Sequence, residues 1–167
     1  MGKVLTEFTN GFAGTPSRSA DEIIISMQAE AEKAIAFGAP VFMTGSGLAV
    51  PFDLDNPQDY STFVGFAVRV PDKTPRTVPD NPYDASPEAD WHPDDVVEVL
   101  VRGAITLPIA IAGARGSHVY IRKSDGQLST NAGAANTTVE LENVRVKQAR
   151  DARSKCCEAV VLTRHIL

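Results

Sequence analysis

The residues of this 167-residue chain with the widest chemical scope are few: His92, His118 and His165, the adjacent Cys156 and Cys157, and the carboxylates Asp53, Asp55 and Asp59. A nucleophile–base pair, a metal cluster or a phosphate cradle would have to come from such groups. The histidines show no paired ligand spacing, and two cysteines alone do not complete a zinc site. Vicinal cysteines rarely bond each other because the ring is strained. In a strand they point to opposite faces, so one buried thiol and one outward thiol are expected. Asp53, Asp55 and Asp59 lack the glycine and final glutamate of an EF-hand loop, and a solvated acidic loop is the expectation. Thr44-Gly45-Ser46-Gly47 lacks the lysine of a phosphate loop. Gly-x-Ser-x-Gly, His-Glu-x-x-His and Cys-x-x-Cys do not occur. The reading is therefore no catalytic residues, no cofactor and no metal, although a triad assembled from distant strands is not visible to sequence reasoning.

The elements that would position any site are clearer. Val97, Val99, Val101, Ile105, Leu107, Ile109 and Ile111 fall on odd positions, with Glu98, Arg102, Thr106 and Pro108 between them. Side chains alternate across a strand, so the pattern predicts one buried face and one largely wet face. Gly103 marks an expected bend or bulge. Pro108 cannot donate to a ladder and belongs at an edge. The apolar even positions Val96 and Leu100 break the pattern and are candidate interface residues. Val119 and Ile121 join the expected core set.

Around this stretch the chain reads as short strands and turns. Residues 1–19 are rich in glycine and turn formers and read as an interaction arm, with Phe8 and Phe12 as anchors. Residues 20–167 read as a single β domain. Residues 20–37 are ambiguous. Ile23-Ile24-Ile25 favours a strand, while Ala29–Ala34 favours a helical turn, and one amphipathic helix over the whole span is the alternative. Phe37–Met43, Thr44–Gly47 and Leu48–Val50 form a strand, turn and return strand. Residues 62–70 and 118–122 are strands, and Lys123–Gly126 is a hairpin signal. Val139 and Leu141 share one phase and Val144 and Val146 the other, so a bulge is expected at Glu142-Asn143. Six of the eleven prolines lie between Pro71 and Pro93, an irregular excursion ending at Trp91, the sole tryptophan. Pinning that loop or packing at an interface are its two expected uses. The fold class is mainly β: a compact β-barrel or β-sandwich with an extended N-terminal arm and a short helical segment.

Charge narrows the partners. The net charge is −5, which argues against a general nucleic-acid surface. No apolar run is long enough to cross a membrane as a helix, and the N-terminus lacks a signal peptide's apolar segment, so cytosolic synthesis is expected. Eleven of the 21 acidic residues lie between Asp53 and Glu98, with three basic residues; six basic and two acidic residues lie between Arg145 and Arg164. Such asymmetry reads as two ordinary solvated faces or, functionally, as complementary patches between subunits.

Five pieces carry a likeness to a known family: Gly11–Arg18, Ile35–Val41, Phe63–Arg69, Asp95–Gly103 and Gly116–Tyr120. In this order and spacing the chain resembles the structural cement, or capsid-decoration, proteins of tailed bacteriophages. The Pro71–Pro93 insert is longer than that pattern leads one to expect. The resemblance implies a non-enzymatic virion protein on the capsid exterior, made in the host cytoplasm. It would bind the outer surface of the assembled head and bridge major capsid subunits. Its partners would be the major capsid protein and further copies of itself, a homotrimer favoured over a dimer, with no direct nucleic-acid or membrane contact. The candidate interface residues are Phe8, Phe12, Trp91, Val96 and Leu100. The rival readings are a carbohydrate- or host-surface-binding β module on a virion, favoured by an exposed row of aromatics, and a small β-barrel enzyme using His118 or His92 with an aspartate.

Overall fold

A computed structural model describes residues 11–17, 21–70, 90–111, 113–149 and 155–164. Among the described residues thirteen strands follow one another: β1 Pro16–Ser17, β2 Ile23–Gln28, β3 Ile35–Ala36, β4 Pro40–Met43, β5 Ala49–Pro51, β6 Phe63–Ala67 and β7 Asp90–Trp91. After these come β8 Val96–Leu107, β9 Ile109–Ile111, β10 His118–Arg122, β11 Leu128–Ser129, β12 Thr138–Gln148 and β13 Cys157–Val161. Eleven of them form one sheet that curls into a half-barrel, in the order β5-β4-β6-β8-β13-β12-β10-β11-β9, with β1 and β2 also paired to β8. β3 and β7 make a separate two-stranded ribbon.

The expected central stretch is the strand on which this arrangement turns. The N-terminal half of β8 pairs with β2 and β6. Its C-terminal half pairs with β1 and β13. The change falls at Gly103, whose φ of +117° puts it in backbone space that side-chain-bearing residues rarely adopt. The strand continues through the bend instead of breaking into two. The bend also shifts the alternation. Val97, Val99 and Val101 enter one apolar cluster, whereas Ile105 and Leu107 enter the other, together with the even-numbered Leu100. Val97, Val99, Val101, Ile105, Leu107, Ile109, Val119 and Ile121, expected in the core from parity, are buried, but on two cores, not one face. The expectation of a wet even face is corrected accordingly. Leu100, Ala104 and Thr106 are buried, because both faces of β8 are covered along most of its length.

The larger core fills the half-barrel, with Phe42, Phe63 and Phe66 packed edge-to-face at its centre. The smaller core lies on the outer side of β4, β6 and β8. The ribbon covers it, contributing Ile35 and Trp91, and Phe37 lies beside them. This double coverage explains why every residue of β6 is buried. Gly65 belongs to the same close packing: a Cβ there would lie 2.1 Å from the Leu100 carbonyl oxygen.

Residues 23–28 form a strand whose alternate residues are exposed, which removes the single-helix alternative. The expected short helical segment is absent: among the described residues the only helix is a 3-10 turn at Tyr60–Thr62. The helix-forming composition of Ala29–Ala34 is overridden at its start, where Ala29 bridges to Ala49 and donates to the Asp95 carbonyl at 2.8 Å. So short a run cannot nucleate a helix against such pairing. The bulge expected at Glu142-Asn143 is present: Val119 faces Leu141 but His118 faces Arg145.

Candidate functional site

The chemical candidates disperse. His118 pairs through Nδ1 with Glu140 and stacks on Tyr120, but both partners of the pair are more than 40% exposed on open strand face. The backbone N–H of His92 donates to the Asp95 carboxylate at 2.7 Å, closing a local turn. His165 lies outside the described residues. Asp53 is taken up locally: Lys33 pairs with one oxygen, and the amides of Asp55 and Asn56 donate to the other. The Lys33 hydrogen bond is the main reason its carboxyl lies below the usual range. Cys156 and Cys157 are both buried, so the expected outward thiol is corrected. Burial pushes the Cys157 thiol up to about 12, with smaller contributions from Cys156 and Glu158.

Another arrangement draws residues together from four parts of the chain. Gly14 sits at φ +76°, where a Cβ would lie 2.8 Å from the Gly38 nitrogen, 2.9 Å from the Ala67 oxygen and 3.0 Å from the Arg69 nitrogen. Only glycine allows so close an approach of three backbone segments. The Gly14 N–H donates to the Thr106 carbonyl at 2.8 Å, and the Thr106 N–H to the Thr15 carbonyl at 2.9 Å. The Arg69 N–H donates to the Gly14 carbonyl, and the Gly38 N–H to the Ala67 carbonyl, both at 2.8 Å. Above this backbone junction the Arg69 guanidinium lies 4.9 Å from the centre of the Phe12 ring and 5.4 Å from that of Phe37. Phe37 meets Trp91 edge-on at 6.2 Å. Trp91 donates its indole N–H to the Val68 carbonyl at 2.9 Å. The flanks of two segments therefore share one pole of the molecule: residue 11, where residues 1–10 attach, and residues 70 and 90, where residues 71–89 begin and end.

The five residues singled out in the sequence are placed unequally. Phe12 is 39% exposed and Val96 is 61% exposed. Trp91 is buried and pins its turn. Leu100 is fully buried in the larger core, so as an interface residue it is corrected: no partner reaches it without opening the fold. Phe8 lies outside the described residues. The junction joins Phe12 to Trp91 through Arg69 and Phe37, both missed by sequence reasoning. Their signal was present in the pieces Gly11–Arg18, Ile35–Val41 and Phe63–Arg69, which meet at this pole. Val96 stands apart, opposite Gln28 on β2. The exposed Ile24 lies four residues further along that strand, about 13 Å away at strand spacing. Among the described residues Phe12 is the only aromatic counted as exposed, so no row of exposed aromatics appears.

The comparisons with known proteins bear on this fold as a whole. Residues 3–161 match the family described as structural cement protein (E217 gp24/Pam3 gp6). The chain belongs to the phage structural cement protein family. As a member of it, this is a capsid cement protein of a virion. A solved chain described as part of the capsid of Myoviridae phage XM1 has the same fold, with a TM-score of 0.69. That likeness covers 96% of this cement protein and 95% of the other chain at 19% identity. Comparison with curated proteins gives no match. No helix among the described residues is long and apolar enough to cross a membrane.

Proposed function

We propose that this cement protein stabilises the assembled head by binding its outer surface and bridging neighbouring major capsid subunits, and that it does so without catalysis. The pole at Phe12, Arg69 and Trp91 carries this reading. A small folded body touching a shell offers little area, and binding must offset several kcal/mol of lost rigid-body freedom. Chain segments that extend from a fixed point enlarge the contact at low cost to the body. Residues 1–10, with Phe8, and residues 71–89 both attach at this pole, and the junction holds their anchor points by backbone hydrogen bonds.

The protein also acts as a closed homo-oligomer, a trimer favoured over a dimer. Linked copies convert later shell contacts into intramolecular ones. The acidic Asp53–Glu98 stretch and the basic Arg145–Arg164 stretch supply opposite charges for such a contact, and the exposed Val96 supplies apolar surface.

The test mixes purified protein with mature and immature heads lacking it and measures occupancy. Deleting residues 1–10 should leave the body folded and reduce occupancy; full occupancy by the truncated protein would refute the arm. Light scattering at micromolar concentration, with and without salt, reads the oligomer. A monomer mass in solution, with no contact between copies on the capsid, would defeat that part of the proposal.

A further inference from the structure

Away from the pole, the β10–β11 hairpin and the loop between β11 and β12 enclose a concavity of about 630 Å³. This lies within the range of ~300–1,000 Å³ typical of small-molecule sites. Apart from Gly133 its lining residues carry polar side chains, Arg122, Lys123, Asn131, Asn136, Thr137 and Thr138 among them, and none is acidic. The shape is fixed by the loop's own hydrogen bonds. Asn131 accepts from the Gly133 N–H at 3.0 Å, Thr137 donates to the Ala134 carbonyl at 2.7 Å, and Thr138 donates to the Ala132 carbonyl at 2.6 Å. Asn136 holds the left-handed conformation, φ 65°, that closes the loop.

These bonds decide which ligand atoms the site can satisfy. Arg122 is turned to Asp125 and Gln127, and Asp125 balances its charge. The Lys123 ammonium has no ion pair or hydrogen bond among the described residues, so it is the site's free positive charge. Thr137 and Thr138 have already committed their protons, so each hydroxyl offers a ligand only lone pairs. The Asn131 oxygen is likewise used, which leaves its NH₂ as a donor. The site therefore asks for an anionic oxygen beside Lys123 and for O–H donors opposite the threonines. Inorganic phosphate meets the first demand and largely fails the second. A neutral sugar meets only the second.

We propose that this concavity binds a sugar acid, a polyhydroxylated ring carrying a carboxylate. The carboxylate accepts from the Lys123 ammonium and the Asn131 amide, and the ring hydroxyls donate to Thr137 and Thr138. Hydrogen bonding and charge carry the recognition, without an aromatic stacking platform. The site lies on a different loop cluster from the pole and does not depend on the capsid reading.

The experiment titrates the full-length protein with D-glucuronate, D-glucose and inorganic phosphate while following backbone amide resonances by NMR. Glucuronate should shift the amides of residues 122–138 in a saturable way, and both glucose and phosphate should bind at least about tenfold more weakly. Lys123→Gln should weaken glucuronate about tenfold, the loss expected for one charged hydrogen bond. Lys123→Arg should retain most of the binding. Unshifted amides outside the loop in both variants would show that the fold is intact. Absence of saturable shifts with glucuronate would overturn the proposal. Equal binding of phosphate would reduce the site to a simple anion site, and equal binding of glucose would remove the role of Lys123; either result overturns it too.

Discussion

Replacing Gly14 with alanine should release the N-terminal segment from the body while leaving the body folded. Two costs act at this position. An alanine at φ +76° carries the left-handed penalty of about 1–2 kcal/mol. Its Cβ would also meet the Gly38 nitrogen, the Ala67 oxygen and the Arg69 nitrogen at 2.8–3.0 Å. All three are backbone atoms, so no rotamer change relieves the contact, and overpacking of this kind costs about 1–3 kcal/mol. Opposing these are the bonds that dock residues 12–15: three backbone hydrogen bonds to Thr106 and Arg69, at about 0.5–1.5 kcal/mol each. The Phe12–Arg69 contact adds roughly 0.5–1 kcal/mol. Cost and docking energy are therefore comparable, at about 2–5 kcal/mol each, and the undocked state should become substantially populated. Native-state hydrogen exchange reads this directly. The amides of Thr106 and Arg69, which donate to Thr15 and Gly14, should exchange about 100-fold faster or more, a factor equivalent to about 2.7 kcal/mol. Amides of β10 and β12 should change little. Unchanged exchange at Thr106 and Arg69 would refute the steric argument. Equal acceleration of every amide would show that residues 11–17 are integral to the body and not separately docked.

Gly65→Ala should destabilise the whole fold by about 3 kcal/mol or more, because its Cβ would overlap the Leu100 carbonyl and β6 cannot move from β8 without losing ladder bonds; a chemical-denaturation curve within 1 kcal/mol of wild type, about the value of one such bond, would count against it. Val99→Asp places a carboxylate among fully buried valines of the smaller core and should prevent folding; a soluble variant with unchanged melting temperature would sink the assignment. For Cys157 the folded thiol is raised from 9.0 to about 12. The sign follows: its contribution is fully present below the unfolded value near pH 9 and is lost as pH rises toward the folded value. Wild type should lose melting temperature more steeply between pH 9 and 12 than Cys157→Ala, and parallel profiles would remove this role.

The strand content was legible because alternation and turn signals are local. β4, its turn and β5, the β10–β11 hairpin and the phase change in β12 were all readable from residue type and spacing. What escaped was whatever depends on two-sided coverage. Parity alone treats a strand as having an inside and an outside, and β8 has a core on each side. Leu100 therefore read as an anomaly on a wet face, when the Phe66 strand and the half-barrel core cover it. The residues 29–34 were misread in the other direction: alanine and glutamate favour a helix locally, yet one bridge and one hydrogen bond outweigh a propensity of tenths of a kcal/mol per residue. Arg69 and Phe37 were invisible as a pair because 32 positions separate them and only the Gly14 junction brings Phe12 to both.

The same junction relates the fold to the proposed work on the capsid. A cement protein must keep its body rigid while the parts that grip the shell fit a surface they do not control. Here the anchor is built from backbone: four hydrogen bonds among residues 14, 15, 38, 67, 69 and 106, and glycines at 14 and 38 that admit no side chain. Backbone contacts are indifferent to the sequence beyond them. On the proposed reading, the side chains that the shell requires would be those of residues 1–10 and 71–89. Under load, on the same reading, tension on residues 1–10 would pass through Gly14 to Thr106 on β8 and Arg69 beyond β6, and β8 would spread it to the strands on its two edges. Antiparallel ladders share such force across several hydrogen bonds at once. On that reading, attachment to the strand that joins both halves of the sheet, and not to a peripheral hairpin, is the placement that would let a pulled arm load the whole body.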